Sequence, residues 1–263
     1  MWAAIKLYLG FLAIGFELIA HIPLAPVIWL GPLVGAGPRT DALMERVVAG
    51  WARRCLKYLQ CRVEVQGLQH LPRRGPVILM SNHQSVLDIP VCLGFLGRIV
   101  GFVAKRETFR IPVLSFWMRQ IHCASMDRSN VRSGGKLLET LSLRVREGGY
   151  CFLIFPEGTR TRHPEGELGP FRHGALRLAQ AQGIPIVPMS LDGTRFFKEL
   201  RRIPPARRLV RVRLAPMVPV PTDLSAPQGK RLMESLRETI VSNWRSIRVN
   251  WREPISQERP SHS

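Results

Sequence analysis

The chain has 263 residues, of which 46% are apolar and 22% charged. That excludes a disordered polypeptide and one wholly embedded in a membrane, and it allows one large domain with an appendage. Lys and Arg number 38 against 19 Asp and Glu, giving a net charge of +19 and a pI near 11.2; so basic a chain points to a polyanionic partner, whether nucleic acid, an anionic bilayer or phosphorylated substrates.

Residues 1–37 are almost uncharged, interrupted by Lys6, Glu17 and His21. Trp2–Ala20 approaches the roughly 20 residues that cross a bilayer. Pro23 and Pro26 then break the run, and a second apolar piece covers Val27–Val34. No small-x-small cleavage site follows, so the segment reads as a membrane anchor, spanning or re-entrant in one leaflet, rather than a signal peptide. Thr40 or Asp41 can cap a helix running to Leu59, apolar at Leu43, Val47, Val48, Trp51, Leu56 and Leu59 and basic at Arg46, Arg53, Arg54 and Lys57. Beside an apolar segment, that pattern suits an interfacial membrane element and equally a helix packed on the domain.

From Cys61 onward short strands alternate with helices. Strands are expected at Arg62–Val65, Val77–Met80, Ile99–Ala104, Ile121–Met126, Tyr150–Phe155, Ile184–Ser190 and Arg208–Leu214. Helices are expected at Ile89–Leu96, Pro112–Arg119, Gly135–Glu147, Gly174–Gln182 and Gly229–Val249, the last with an apolar stripe from Leu232 to Trp251. The alternation predicts an α/β fold, a mixed β-sheet flanked by helices, behind an N-terminal hydrophobic and amphipathic helical membrane-anchoring segment. The expected organisation is an anchor over 1–60, the α/β domain over 61–252 and a polar tail over 253–263. Five cysteines, Cys55, Cys61, Cys92, Cys123 and Cys151, form no C-x-x-C and sit among apolar residues, which argues for buried thiols in a reducing compartment.

The chemistry gathers where strands end. After the apolar run Val77-Ile78-Leu79 comes Asn82-His83-Gln84-Ser85-Val86-Leu87-Asp88, a loop that then enters a helix. On one continuous helix, residues five apart would diverge by about 140°. Across a turn into a helix, the same spacing can return Asp88 to the His83 imidazole. A carboxylate on one ring nitrogen fixes the tautomer and leaves the other nitrogen as a base. After Cys151–Phe155 stands Pro156-Glu157-Gly158-Thr159-Arg160: Arg160 offers a planar fork of donors suited to phosphate, and Gly158 allows close approach to the backbone. Lys105 and Arg128 stand at two further strand ends, and Phe171-Arg172-His173-Gly174-Ala175 opens a helix. Ligands of α/β sheets bind outside the carboxyl ends of strands, so these loops can share one crevice. H-x4-D lacks the spacing of a zinc-binding helix, and no nucleophile elbow supports a covalent route through Ser85 or a cysteine.

These motifs together resemble the glycerolipid acyltransferases, in particular the bacterial 1-acyl-glycerol-3-phosphate acyltransferases. The resemblance runs through Asn82-His83-x4-Asp88, Val103-Ala104-Lys105-Arg106-Glu107 with Ile111-Pro112, Met126-Asp127-Arg128, Phe155–Arg160, Phe171-x-x-Gly174-Ala175 and Ile186-Val187-Pro188. Ser115 stands where the family usually has glycine, and Met126 where isoleucine is common. The resemblance implies that His83 is the general base that deprotonates the 2-hydroxyl of lysophosphatidic acid, with Asp88 orienting it. It implies that the acyl group comes from acyl-CoA or an acyl carrier protein, with no cofactor or metal. Lys105, Arg128, Glu157, Gly158, Thr159, Arg160 and Pro188 fall in its substrate-binding motifs, Arg160 and Lys105 on the acceptor phosphate. The expected setting is the inner membrane, with an anionic bilayer as partner and the α/β domain in the cytoplasm. One alternative is an acyltransferase for another lysophospholipid or a lyso-aminolipid acceptor; the other, of a different class, is a non-catalytic basic protein that binds anionic lipid. Nucleic acid is not expected, because Phe196 and Phe197 are the only aromatics beside the basic stretch Arg195–Arg213.

Overall fold

The computed structural model describes residues 13–30, 33, 37–126, 133–161, 168–199 and 208–248. Its centre is a seven-stranded sheet in the order β1-β7-β6-β2-β5-β3-β4. The strands are β1 Arg62–Gln66, β2 Val77–Ser81, β3 Val100–Lys105, β4 Ala124–Met126, β5 Cys151–Ile154, β6 Ile186–Asp192 and β7 Leu209–Leu214. Every pairing is parallel except β6 with β7.

The sheet is covered on both faces, which is why its central strands read as unbroken apolar runs. Side chains alternate between the two layers along each strand. Val77, Leu79, Cys151, Leu153 and Val187 face one core, with helices α3 Gly37–Tyr58, α4 Asp88–Phe95 and α5 Pro112–Gln120. Ile78, Met80, Phe152 and Ile186 face the other, with α6 Ser133–Gly148, α7 Gly174–Gln180 and α8 Ala226–Ser246. All five cysteines are free thiols; burial is the first cause that holds Cys55, Cys123 and Cys151 up at about 12.

The expected elements are present, with informative shifts. Ile184 does not open β6, because its N–H still closes on the Ala179 carbonyl at the end of α7. The strand instead runs two residues further, to Asp192. Ile121 and His122 form a turn rather than the start of β4, with His122 at φ 62°. Helix α8 begins at Ala226, where Ser225 and Gln228 form a reciprocal capping box, earlier than the expected Gly229.

At the amino end, residues 13–20 are helical (α1), and α2 spans Ala25–Leu30. Among the described residues no helix is long and apolar enough to cross a membrane. Helix α1 is pinned to the domain: Glu17 pairs with Arg54 of α3 at 2.6 Å, and Trp51 and Trp117 donate to the carbonyls of Ile14 and Leu18. Yet Phe16, Ile19, Val27, Leu30 and Leu33 are exposed, Leu33 by 81%. The remainder of the apolar run, Arg128, Trp251 and the tail lie outside the described residues.

Candidate active site

Strands β2 and β5 lie side by side, and their continuations part to opposite faces: β2 leads into α4 on one, β5 into α7 on the other. The crevice between such diverging loops is where open α/β sheets take ligands. His83 follows β2 and Glu157 follows β5, so the topology brings both to this crevice.

The H-x4-D loop is folded around its own aspartate. Asp88, the first residue of α4, is fully buried. Its Oδ2 accepts the backbone N–H groups of Gln84 at 2.7 Å and Ser85 at 3.1 Å, and lies 2.6 Å from His83 Nδ1. Its Oδ1 accepts the Thr194 hydroxyl. A buried carboxylate requires such satisfaction, and the donors fix its orientation as well. Ser85 Oγ accepts the Leu87 N–H and is consumed within the loop.

His83 is held at every point but one. Its N–H donates to Glu157 Oε1 at 3.0 Å, and its carbonyl accepts the N–H and the hydroxyl of Thr161 at 2.7 and 2.9 Å. Its ring stacks on Phe155, centroids 4.0 Å apart and planes 14° from parallel. With Nδ1 committed to Asp88, proton chemistry falls to Nε2, and the side chain keeps 18% exposure. A base needs that combination of a fixed tautomer and an accessible second nitrogen.

The matching family model is the acyltransferase model, over residues 62–192. A sheep (Ovis aries) relative, 1-acyl-sn-glycerol-3-phosphate acyltransferase alpha, is 31% identical over 206 residues, covering 75% of this chain and 68% of that protein. The chain belongs to the acyltransferase family. A Brassica napus chloroplastic 1-acyl-sn-glycerol-3-phosphate acyltransferase is 39% identical over 134 residues, 51% of this chain; the chain spans only 38% of that relative's length. A 1-acyl-sn-glycerol-3-phosphate acyltransferase of Pseudomonas aeruginosa is 30% identical over 154 residues, 59% of this chain and 54% of that protein. The crystal structure of the 1-acyl-sn-glycerophosphate (LPA) acyltransferase PlsC from Thermotoga maritima has the same fold: TM-score 0.65, 24% identity, 90% of this chain and 95% of that one.

In this member of the family the other sequence-derived residues divide into three groups. Glu157 is buried and turned inward: besides His83 N–H it accepts the Thr161 hydroxyl and the Gly169 N–H. Its carboxylate braces the His83 loop rather than lining an open pocket. Gly158, Thr159, Arg160 and Lys105 stand at the carboxyl rim, Thr159, Arg160 and Lys105 exposed. Gly158 adopts φ 67°, which favours glycine, and a Cβ there would come within 3.1 Å of Arg172 Nε, so the Arg172 side chain would have to give way. Pro188 departs from the substrate-binding expectation. It is buried in β6, opposite Met80 of β2, and its carbonyl accepts the Ala215 N–H where the β6–β7 ladder breaks off. A residue without an N–H suits such a break, so Pro188 serves the sheet.

Several residues take roles in the site that the sequence reading does not assign: Thr194 is not singled out, and Asn82, Gln84, Phe155 and Arg172 stand in the motifs without these roles. Thr194 reaches Asp88, Phe155 carries the His83 ring, and Arg172 joins Arg160 as a cation beside Gly158. Gln84 ties Asp192 through Nε2 and the Gly193 N–H through Oε1. Asn82 makes two bonds with the Leu191 backbone, extending the β2–β6 contact by one rung. Extending β6 to its real end would have drawn attention to Asp192 and Thr194, because they too lie at a carboxyl strand terminus.

Proposed function

We propose that this chain transfers a fatty acyl group from acyl-CoA or an acyl carrier protein to the 2-hydroxyl of 1-acyl-sn-glycerol 3-phosphate, forming phosphatidic acid. The observation that carries this reading is the 2.6 Å contact of His83 Nδ1 with the buried Asp88. It leaves Nε2 to take the proton from the acceptor hydroxyl as its oxygen attacks the thioester carbonyl. Asp88 then stabilises the imidazolium, and the proton passes to the departing thiolate. A positioned base contributes about 10²–10⁴-fold, and holding the reactants in place contributes much of the rest.

Arg160, Lys105 and Arg172 are the cations proposed to grip the acceptor phosphate, Arg160 with its bidentate fork. Arg128 carries the same proposal from sequence alone. An apolar cavity whose wall includes Ile89, the residue after Asp88, runs among Val47, Trp51, Leu93, Phe102, Leu114 and Trp117. It suits an acyl chain, since little but hydrocarbon lines it. The exposed apolar residues of 13–33 and the basic Arg46, Arg53 and Lys57 of α3 support association with an anionic bilayer. The setting proposed is the inner membrane, with the α/β domain on the cytoplasmic side.

An acceptor panel tests the assignment. Wild type is expected to acylate lysophosphatidic acid in preference to monoacylglycerol, and Arg160→Ala to lose chiefly that preference. Equal loss on both acceptors would remove the phosphate grip, and transfer only to a phosphate-free acceptor would overturn the substrate.

A further inference from the structure

The carboxyl rim holds His83 between two groups of cations. Lys105, Arg160 and Arg172 stand on the β3 and β5 side. On the other side, past β6, lie β7 and the edge strand β1. Val210, Val212 and Leu214 of β7 are buried in the core shared with α3 and α4, and Val63 and Val65 of β1 pack on it. Side chains alternate along a strand, so Arg211 and Arg213, with Arg62 and Glu64, project from the opposite face. The end of α8 meets them there: Arg213 Nη1 donates to Ser246 Oγ at 2.7 Å, and Arg211 Nη1 to the Arg248 carbonyl at 3.5 Å.

Arg62, Arg211, Arg213 and Arg248 thus form one basic surface, with Arg62 and Arg248 exposed and Arg211 and Arg213 half-exposed. Glu64 is the carboxylate among them, and its two oxygens lie 3.0 Å from Arg62 and 3.2 Å from Arg211. Thr239, Asn243 and Ser246, spaced by four and three, share the side of α8 that meets Arg213, and none is acidic. This surface is tied to the catalytic loop. Arg211 stands opposite Asp192 in the β6–β7 ladder, and Asp192 accepts both the Gln84 amide and the Trp244 indole N–H of α8. From β1 to β2 is three strand spacings, roughly 14 Å.

The other layer carries the residues assigned above to the bilayer, the exposed apolar side chains of 13–33 and the basic ones of α3. The β1–β7 arginines face away from that layer, toward a partner other than the bilayer. Acyl transfer to lysophosphatidic acid brings an acceptor phosphate and an anionic acyl donor to one base, and the cations by Lys105 and Arg160 already serve the acceptor. A nucleotide is gripped in a concave pocket, whereas these arginines spread over two strands and a helix end, with the Arg62 side chain 79% exposed. Such a surface suits an acidic protein.

We propose that Arg62, Arg211, Arg213 and Arg248 form the docking surface for an acidic acyl carrier protein, which delivers its thioester to His83 on a flexible arm. This rests on the acyltransfer reading and narrows its donor. Three of the four arginines lie beyond the matched family segment, which ends at residue 192.

Full-length wild type, Arg62→Glu/Arg213→Glu and Arg62→Lys/Arg213→Lys are to be compared in detergent. Lysophosphatidic acid is kept saturating, and either an acyl-loaded carrier protein or acyl-CoA is varied. The glutamate pair should raise KM for the acyl carrier protein at least about tenfold, because like charges then face each other, with kcat unchanged. The lysine pair should follow wild type. KM for acyl-CoA and sedimentation with phosphatidylglycerol vesicles should not move in either pair. An unmoved carrier-protein KM in a folded glutamate variant overturns the proposal. So does an equal rise for both donors, which would give the surface to a nucleotide phosphate. Loss of vesicle binding with carrier-protein KM intact also overturns it and would give the surface to the bilayer. If the glutamate pair does not fold, Arg62→Glu alone decides: a rise of about threefold in KM for the carrier protein supports the proposal, and no rise overturns it. Turnover of acyl-CoA but not of acyl carrier protein by wild type overturns the proposal and leaves the function reading standing. Should neither donor yield phosphatidic acid, the function reading falls. The Kd of the thiol-bearing carrier protein then decides: about tenfold weaker binding to the glutamate pair supports the docking surface, and equal binding overturns it.

Discussion

The two rims of the sheet bury basic side chains in different ways. At the amino rim Arg98, only 8% exposed, donates to the carbonyls of Pro72, Gly75 and Gly149 and locks three loops together. His122, stacked on Tyr150 with centroids 3.6 Å apart, is held by burial, then by Arg144, down at about 4. At the carboxyl rim His83 is clamped as tightly, yet its bonds stop at Nδ1 and leave Nε2. A guanidinium closed on backbone carbonyls makes a scaffold; a clamped imidazole with one nitrogen left open makes a site that can do chemistry. The comparison also explains why the amino rim tolerates a neutral, half-buried histidine: nothing there requires it to change charge.

The largest effect should come from Asp88→Asn, which removes the carboxylate and favours the wrong imidazole tautomer. A fall of about 10³–10⁴ in kcat is expected with the fold retained, by analogy with the triad aspartate; a loss under tenfold would separate Asp88 from catalysis. Glu157→Gln should follow. Its amide presents an N–H to donors that now meet carboxylate oxygens, displacing the His83 backbone, with a loss of about 10²-fold that falls on kcat more than KM. A pure KM effect would return Glu157 to the substrate pocket.

The amino rim should answer in stability rather than turnover. Arg98→Met leaves three part-buried carbonyls without the Arg98 donor and should lower unfolding free energy by about 1–2 kcal/mol, with kcat per folded molecule unchanged. A kcat change at unaltered denaturation midpoint would blur the distinction between rims. Smallest is a pH effect at His122. The folded state keeps it neutral down to about pH 4 while the unfolded chain takes up its proton near 6.5, so wild type loses stability as pH falls through that window. His122→Asn, which tolerates the positive φ, should recover on the order of 1 kcal/mol of that loss after allowance for partial exposure. Parallel wild-type and variant melting curves from pH 7 to about 4 would contradict it.

How much was legible follows from how local each signal is. The strands were legible because a sheet covered on both faces leaves uninterrupted apolar runs, as at Val77–Leu79 and Cys151–Leu153. The His83–Asp88 pairing was legible because both residues belong to one loop. Contacts made by distant strands were not: Thr194 meets Asp88 across 106 residues of sequence, and Asn82 meets Leu191 across 109. Glu157 was found, but not its direction, because a motif gives position and not which way a carboxylate turns. Pro188 was given a place in the site when its chemistry, a missing N–H at a ladder break, belongs to the sheet. Glu17 looked like a fault in an apolar run and is the ion-pair partner of Arg54.

The central claim is that the open nitrogen of His83 performs acyl transfer. Membranes carrying equal amounts of wild type or His83→Ala, supplied with labelled oleoyl-CoA and lysophosphatidic acid, test it most directly. Labelled phosphatidic acid from wild type and at least about 10²-fold less from the variant is the predicted result. Undiminished phosphatidic acid from a folded His83→Ala protein would contradict it.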